Sequence, residues 1–455
     1  MSVFEPTYPP RHAEPLSAFK TWQYARKDLL SIWAEEAFEL QLMGSKILNQ
    51  WVYIANAPDV VKHVFVSNHQ NYLQKSPQMR KALEPLLGDG LFISDGETWH
   101  TRRKIQTPLF TAQHVIEYSR IMVDTALERA EAWAKKSDGD TLEVLPEMAM
   151  LTAEIICRTL FGAELGKTKS SEVVKAFSEY QESIEQMALS EFLGIPDWVP
   201  VPGTSMRKAR KAAKRIHKVV DDIIENADYA EDDFTMLAQF LKLNQRDEAI
   251  TREGIRNEII VLFMAGHETT ANTLAWTWYL ISQAPDVESK MHAELGAICR
   301  GQTPSYEHYS QLTYLRAILD EAMRLYPPVP ILSRQAADTD YIRGREIPKG
   351  AIVMVVPWLL HRHESLWEHP NQFIPERFLE GGSAFKQDKY TYVPFSIGPR
   401  VCLGKYFGQV ELVLTMATLA QKFRLSLPPN TEVTHDCRLT LRPKDNLPMQ
   451  LFSVS

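Results

Sequence analysis

The stretch from Arg252 to Gln283 limits the fold more than any other part of the chain. Ile255, Ile259, Ile260, Val261, Leu262, Phe263 and Met264 make it apolar nearly all round. A helix that is apolar on every side is buried on every side. At ~1.5 Å rise per residue it spans on the order of 45 Å, enough to cross a large domain. The chain has 455 residues and is 45% hydrophobic, enough to build a core around such a helix. Its net charge of −7 does not suit nucleic acid as a partner.

The rest of the chain reads mainly as helix with a small β-rich part. Helical patterns run over 115–135, 146–161, 171–189, 205–226, 233–243 and 314–326, with a shorter one at 58–66. Strand signals stand at 51–56, at 352–357 and, more weakly, in the last twenty residues. The proline-dense segment 195–202 is expected to be a loop. No Gly/Ser linker, repeat or low-complexity spacer divides the chain, so one domain is expected over 1–455, with 1–50 as an N-terminal extension. Met1 to Arg26 has no 18-residue apolar run, so neither a signal peptide nor a membrane anchor is expected. Four cysteines without framework spacing point to a reducing compartment, and the expected location is cytoplasmic.

Two segments carry chemistry. The first is Phe395-Ser396-Ile397-Gly398-Pro399-Arg400-Val401-Cys402-Leu403-Gly404, read as F-x-x-G-x-R-x-C-x-G. Cys402 precedes a helical run from Lys405 to Phe423, and a sulfur at a helix N-terminus is expected to have a depressed pKa. Its bland alternative is a buried thiol acting as a small hydrophobe. The second segment is Ala265-Gly266-His267-Glu268-Thr269-Thr270, set inside the apolar helix. An acid and two hydroxyls in a core helix need a reason. Threonine bonding back to a carbonyl one turn earlier is the bland one. A zinc motif H-E-x-x-H fails, because Ala271 stands where the second histidine belongs.

Together these segments resemble the cysteine-ligand loop and the oxygen-activation stretch, A-G-x-D/E-T-T/S, of the cytochrome P450 superfamily. Further motifs follow in the family's order. Glu321-Ala322-Met323-Arg324 resembles its E-x-x-R helix, Pro375-Glu376-Arg377-Phe378 its P-E-R-F loop, and Trp99 to Arg103 its W-x-x-x-R helix. The resemblance covers about Trp51 to Phe423. It implies the family's fold, with haem b between the long central helix and the loop and helix of Cys402. It implies that Cys402 is the axial iron ligand, and that Phe395 packs on the sulfur. Gly398 and Gly404 would let backbone approach the macrocycle, and Ala265 and Gly266 would let the long helix lie close over it. Trp99, Arg103, Arg334 and Arg400 would hold the propionates, with His100 as a further candidate. Thr269, widening the helix locally, and Glu268 would manage protons. Glu321, Arg324 and Arg377 would form a structural ion network.

The implied activity is a monooxygenase that hydroxylates or epoxidises a fatty-acid, terpene or steroid-like molecule. Phe92, in a Gly88–Phe92 loop similar to that of bacterial fatty-acid hydroxylases, is expected in the substrate pocket with Met264, Ala265, Val329 and Ile331. Met187, Leu189, Phe192 and Leu193 are expected at an entrance. Alanine at 265 does not suit an ester-linked haem. The cysteine spacing is wrong for an iron–sulfur cluster and no G-x-G-x-x-G is present, so no bound flavin or cluster and no fused reductase are expected. Electrons would come from a separate ferredoxin or flavodoxin with its reductase, steered by Arg102, Lys104 and Lys405. The basic run over 207–215 reads as a solvated helix face, with lipid or substrate-carboxylate contact as its alternative. Two other activities fit the same motifs: a haem-thiolate peroxygenase or isomerase, and a haem sensor or carrier without turnover.

Overall fold

The computed structural model describes residues 3–454 apart from 26, 48–49, 163–173, 181–182, 185–205, 228, 231–232, 248–249 and 438. The expected loop over 195–202 and the four entrance residues Met187, Leu189, Phe192 and Leu193 lie outside the described residues. So does most of the expected helix over 171–189, of which the described residues 174–180 and 183–184 are helical.

Eight helices position the site. They are α1 (Pro77–Leu87), α2 (Gly96–Gln106), α3 (Ala112–Trp133), α4 (Val144–Phe161), α5 (Met206–Glu225), α6 (Arg252–Ser282), α7 (Thr313–Leu325) and α8 (Lys405–Ala420). The apolar stretch is α6, 31 residues long and buried over most of its length. The Thr251 hydroxyl caps its start by accepting from the Gly254 N–H at 3.0 Å. Pro285 opens the following helix three residues past its end. The α4 helix packs along α6: the Thr152 hydroxyl donates to the His267 carbonyl at 2.8 Å.

The α7 helix closes at Leu325 because Tyr326 precedes Pro327 and is kept out of the helical region, at φ −127° and ψ 72°. Its first amides donate to Glu294, with Tyr314 N at 2.7 Å and Leu315 N at 2.9 Å. That carboxylate therefore satisfies orphan donors at the helix's positive end. On α5, Arg207, Lys208, Arg210, Lys211, Lys214 and Arg215 are exposed, while Ala209, Ala212, Ala213 and Ile216 are buried. The basic run is thus a solvated face.

The β-rich part is a four-stranded sheet of β1 (Leu42–Ile47), β2 (Gln50–Ala55), β3 (Leu332–Gln335) and β4 (Ile352–Val355), in the order β1-β2-β4-β3. The β1–β2 hairpin is antiparallel, β2 runs parallel to β4, and β3 is antiparallel to β4 with Arg334 opposite Val353. Asn56, expected as strand, leaves the ladder because its side-chain amide donates to the Ala37 and Leu40 carbonyls. A smaller three-stranded sheet joins Thr141–Glu143, Phe423–Ser426 and Pro448–Ser453, giving the last twenty residues their expected strand. No helix among the described residues is long and apolar enough to cross a membrane.

Candidate active site

The cavity of about 340 Å³ opens between α6, α2, the β3 strand and the loop before α8. Cys402 lines it, as do Phe395 and Gly404 from the same loop. The loop closes on itself where the Cys402 N–H donates to the Phe395 carbonyl at 2.9 Å. Helix α8 begins at Lys405 with Gly404 as its N-cap, so Cys402 sits ahead of the first turn. Cys402 is exposed to the cavity, and protein surrounds that cavity. Burial raises its pKa, opposed by the Gly404 N–H, Arg103 and Lys405. The depressed pKa expected of a helix N-terminus is therefore not found; loss of water outweighs those three contributions.

Gly398 corrects another expectation. It has φ +77° and does not line the cavity; a Cβ there would collide with the Phe65 carbonyl. Glycine is needed for that crossing, not for approach to a macrocycle. Gly266 does line the cavity, but a Cβ would meet Ile156 Cδ1 of α4 at 3.1 Å. Its small size therefore serves the α4–α6 contact.

From α6, Met264, Ala265, Glu268 and Thr269 reach the cavity. The helix stays α-helical through this block, without local widening. The Thr269 hydroxyl donates to the Ala265 carbonyl at 2.7 Å, the back-bond that threonines make in core helices. Glu268 Oε1 accepts from the Thr440 hydroxyl at 2.7 Å. His267 is buried and stacks on Phe263 with ring centroids 5.4 Å apart. Burial pushes its pKa down to about 4.

One rim is cationic. Arg103, Arg334 and Arg400 line it beside Trp99. Arg400 lies 4.8 Å above the Trp99 ring and donates to the Ser94 carbonyl at 2.6 Å and to Asp95 at 2.8 Å. Burial pushes the Arg400 pKa down to about 10, partly offset by Asp95, and its Nε is buried with no partner. Arg103 donates to the Val401 carbonyl at 2.9 Å. Arg334 donates to the Ser333 carbonyl at 2.7 Å and stands 4.8 Å from the Phe65 ring centroid. His100 is exposed and absent from the lining. It follows Trp99 by one residue, about 100° round the helix, so it points away.

Phe92, Val329 and Ile331 complete the apolar wall, and Lys75 Nζ lies 4.7 Å from the Phe92 ring centroid. Lys75, Thr440 and Glu411 also line the cavity without having been singled out in the sequence. Glu411, on α8, is fully buried; Thr270 Oγ1 lies 3.4 Å from its Oε2, and burial holds its pKa well above the usual range. Its spacing of nine residues from Cys402 was visible, but nothing in the sequence shows what faces it.

On the far side of α7 the ion network is in place. Glu321 takes Arg324 at 2.6 and 2.7 Å, the Ile374 N–H at 3.0 Å and Arg377 Nε at 3.4 Å. Arg324 also donates to the His361, Pro370 and Gln372 carbonyls at 2.8, 2.7 and 3.0 Å. Both members of the central pair are fully buried.

A family model described as Cytochrome P450 matches residues 32–448. The chain belongs to the cytochrome P450 family. Cyclooctatin synthase of Streptomyces melanosporofaciens is 29% identical over 386 residues, 84% of this chain and 82% of that protein. A cyclooctat-9-en-7-ol 5-monooxygenase of the same organism is 28% identical over 382 residues, 83% and 81% of the two chains. A cytokinin hydroxylase of Arabidopsis thaliana is 29% identical over 402 residues, 85% and 76%. In fold, the haem domain of cytochrome P450DA superposes with a TM-score of 0.80 at 24% identity, covering 99% of this chain and 98% of that one. The protein is a cytochrome P450 monooxygenase, and its family implies haem b. The cavity's residues suit that group: a thiol, apolar walls, and a rim of three arginines that includes an unpartnered buried guanidinium nitrogen.

Proposed function

We propose that this P450 inserts one atom of O2 into a C–H or double bond of an apolar small molecule, taking electrons from a separate ferredoxin or flavodoxin system. The observation that carries the reading is one apolar space shared by the Cys402 thiol, the Ala265–Thr269 block and the arginine rim. Haem b, bound through Cys402 as thiolate, would supply the O2 and one-electron chemistry.

The chain's own residues do the rest. Trp99, Arg103, Arg334 and Arg400 would hold the propionates by charge-assisted hydrogen bonds. Ala265 leaves room beside α6, and Met264, Phe92, Val329 and Ile331 exclude water and orient the substrate. Thr269 Oγ1 holds a proton at the cavity wall. Glu268, tethered by Thr440, exchanges protons with it through water. Glu321, Arg324 and Arg377 keep the proximal side in shape. Of the three cations expected to steer the electron donor, Lys104 and Lys405 are exposed. Arg102 is buried and paired with Asp89 and Glu258, so it is not available to a partner surface. The relatives named for cyclooctatin and cyclooctat-9-en-7-ol favour a compact hydrocarbon framework with few polar groups as substrate.

The test is the spectrum of the purified protein with haem, reduced under carbon monoxide. A thiolate-type Soret band is expected, lost in Cys402→Ser. A band at the imidazole-ligated position, or no haem uptake, overturns the reading. Substrate class follows from a screen of fatty acids, terpenes and steroids for a spin-state shift, with product analysis in the presence of NADPH, ferredoxin and ferredoxin reductase.

A further inference from the structure

Glu258 lies two turns before the Ala265–Thr269 block on α6 and exposes none of its surface. Its carboxylate gathers donors from two other segments. The Leu91 N–H donates to both oxygens, at 3.0 and 3.1 Å. Gln106 Nε2 donates to Oε2 at 2.6 Å, and Arg102 Nε lies 3.3 Å from Oε1. Next to it, Asn257 donates to Asp89 Oδ1 at 3.2 Å, and Arg102 donates to Asp89 Oδ2 at 2.8 Å.

These bonds fasten the Gly88–Phe92 loop to α6 and α2 at once. The loop is pressed down as far as its backbone allows. A Cβ at Gly88 would collide with the Asn257 amide, and one at Gly90 would meet Val261 Cγ2 at 2.7 Å. Leu91 and Phe92 of this loop enter the cavity wall. On α2, Arg102 and Gln106 reach Glu258, while Trp99, Arg103 and Gln106 itself line the cavity. Burial raises the Glu258 pKa to about 7, opposed by Leu91 N–H, Arg102 and Gln106. Taking a carboxylate out of water is costly, and an apolar side chain of similar volume often packs as well or better. What an apolar residue cannot do is hold the Leu91 N–H.

Resting on the monooxygenase reading above, we propose that Glu258 is a positioning residue for substrate fit. It holds the Leu91–Phe92 wall in register with the helix that carries Trp99 and Arg103. A ligand that presses on that wall therefore reads the state of Glu258, whereas one confined to the iron does not.

The experiment uses the full chain loaded with haem, as wild type, Glu258→Ala and Glu258→Gln. Imidazole and 4-phenylimidazole are titrated by their Soret shifts; both bind iron through nitrogen, and only the second carries an apolar arm. Loss of a charge-assisted hydrogen bond predicts about tenfold or more weakening of 4-phenylimidazole in Glu258→Ala, with imidazole within about twofold. Glu258→Gln keeps an oxygen for the Leu91 N–H and is expected to recover most of the affinity. Hydrogen exchange over 88–93 should quicken in Glu258→Ala and return towards wild type in Glu258→Gln. Equal weakening of both azoles, or none, overturns the proposal. If Glu258→Ala does not load haem, Arg102→Gln, at a position outside the cavity lining, removes the cation that ties Glu258 to Asp89 and leaves the carboxylate. A selective loss of 4-phenylimidazole is then expected, and an unchanged ratio of the two affinities overturns the assignment. Absence of the thiolate-type band in the wild type sinks the monooxygenase reading itself. The band with unaltered azole selectivity sinks only the role of Glu258.

Discussion

Glu321 and Arg324 meet through two hydrogen bonds, 2.6 and 2.7 Å long, one helical turn apart and entirely out of water. Breaking a buried pair by removing one partner costs about 3–5 kcal/mol, because the other charge is left stranded. Arg324→Lys keeps the charge but loses the fork that also reaches His361, Pro370 and Gln372. It is expected to give protein with little haem and a lowered unfolding midpoint, read from the haem-to-protein absorbance ratio and a thermal scan. Full haem content at the wild-type midpoint would contradict the network's role.

Gly398 and Gly404 flank Cys402 and should respond differently to alanine. At Gly398 the backbone is left-handed, with φ +77°, and a Cβ would strike the Phe65 carbonyl. At Gly404 the nearest atom to a Cβ is Phe110 Cε1 at 3.7 Å, an ordinary contact. Gly398→Ala is expected to destabilise the apoprotein by about 2 kcal/mol or more, and Gly404→Ala by much less. Urea unfolding of the two apoproteins decides it; equal midpoints would show that the loop moves away from Phe65 freely.

Thr269→Ala removes the hydroxyl and its bond to the Ala265 carbonyl while leaving the cationic rim intact. Haem binding and the thiolate-type band are expected to persist. NADPH consumption should continue with less product and more hydrogen peroxide, measured as the ratio of product to NADPH. An unchanged ratio removes Thr269 from the proton path.

His267 makes the fold sensitive to acid. Its pKa is about 4 in the folded chain and about 6.5 when unfolded, so between these values only the unfolded chain takes up the proton. The stability is present above about pH 6.5 and is lost as pH falls towards 4. By pH 5 the loss from this group is about 2 kcal/mol. His267→Leu should lose less stability than wild type between pH 7 and pH 5, by that amount, in urea titrations at the two values. Parallel losses would mean that another group carries the acid response.

Much of this architecture was legible because its signals are local. The α6 helix follows from its own apolar residues, and Trp99 and Arg103 share a face because they are four apart. What was not legible depends on partners distant in sequence. Gly266 faces Ile156, Gly398 passes under Phe65, Arg102 turns inward to Glu258, and Glu268 meets Thr440. His100 failed for a local reason: one step along a helix turns a side chain out of the site. Cys402 failed on pKa because the dipole was visible in the sequence and the apolar enclosure around the sulfur was not.

The cavity wall begins at Leu29 and ends at Thr440. Its residues are thus drawn from well before the first motif and well after the last. A chain still emerging from the ribosome has released Trp99, Arg103 and α6 long before Cys402, and Cys402 before Thr440 tethers Glu268. Complete assembly of the prosthetic-group site is therefore expected only after Thr440 has been made, and deletions that remove Leu29 or Thr440 should impair loading.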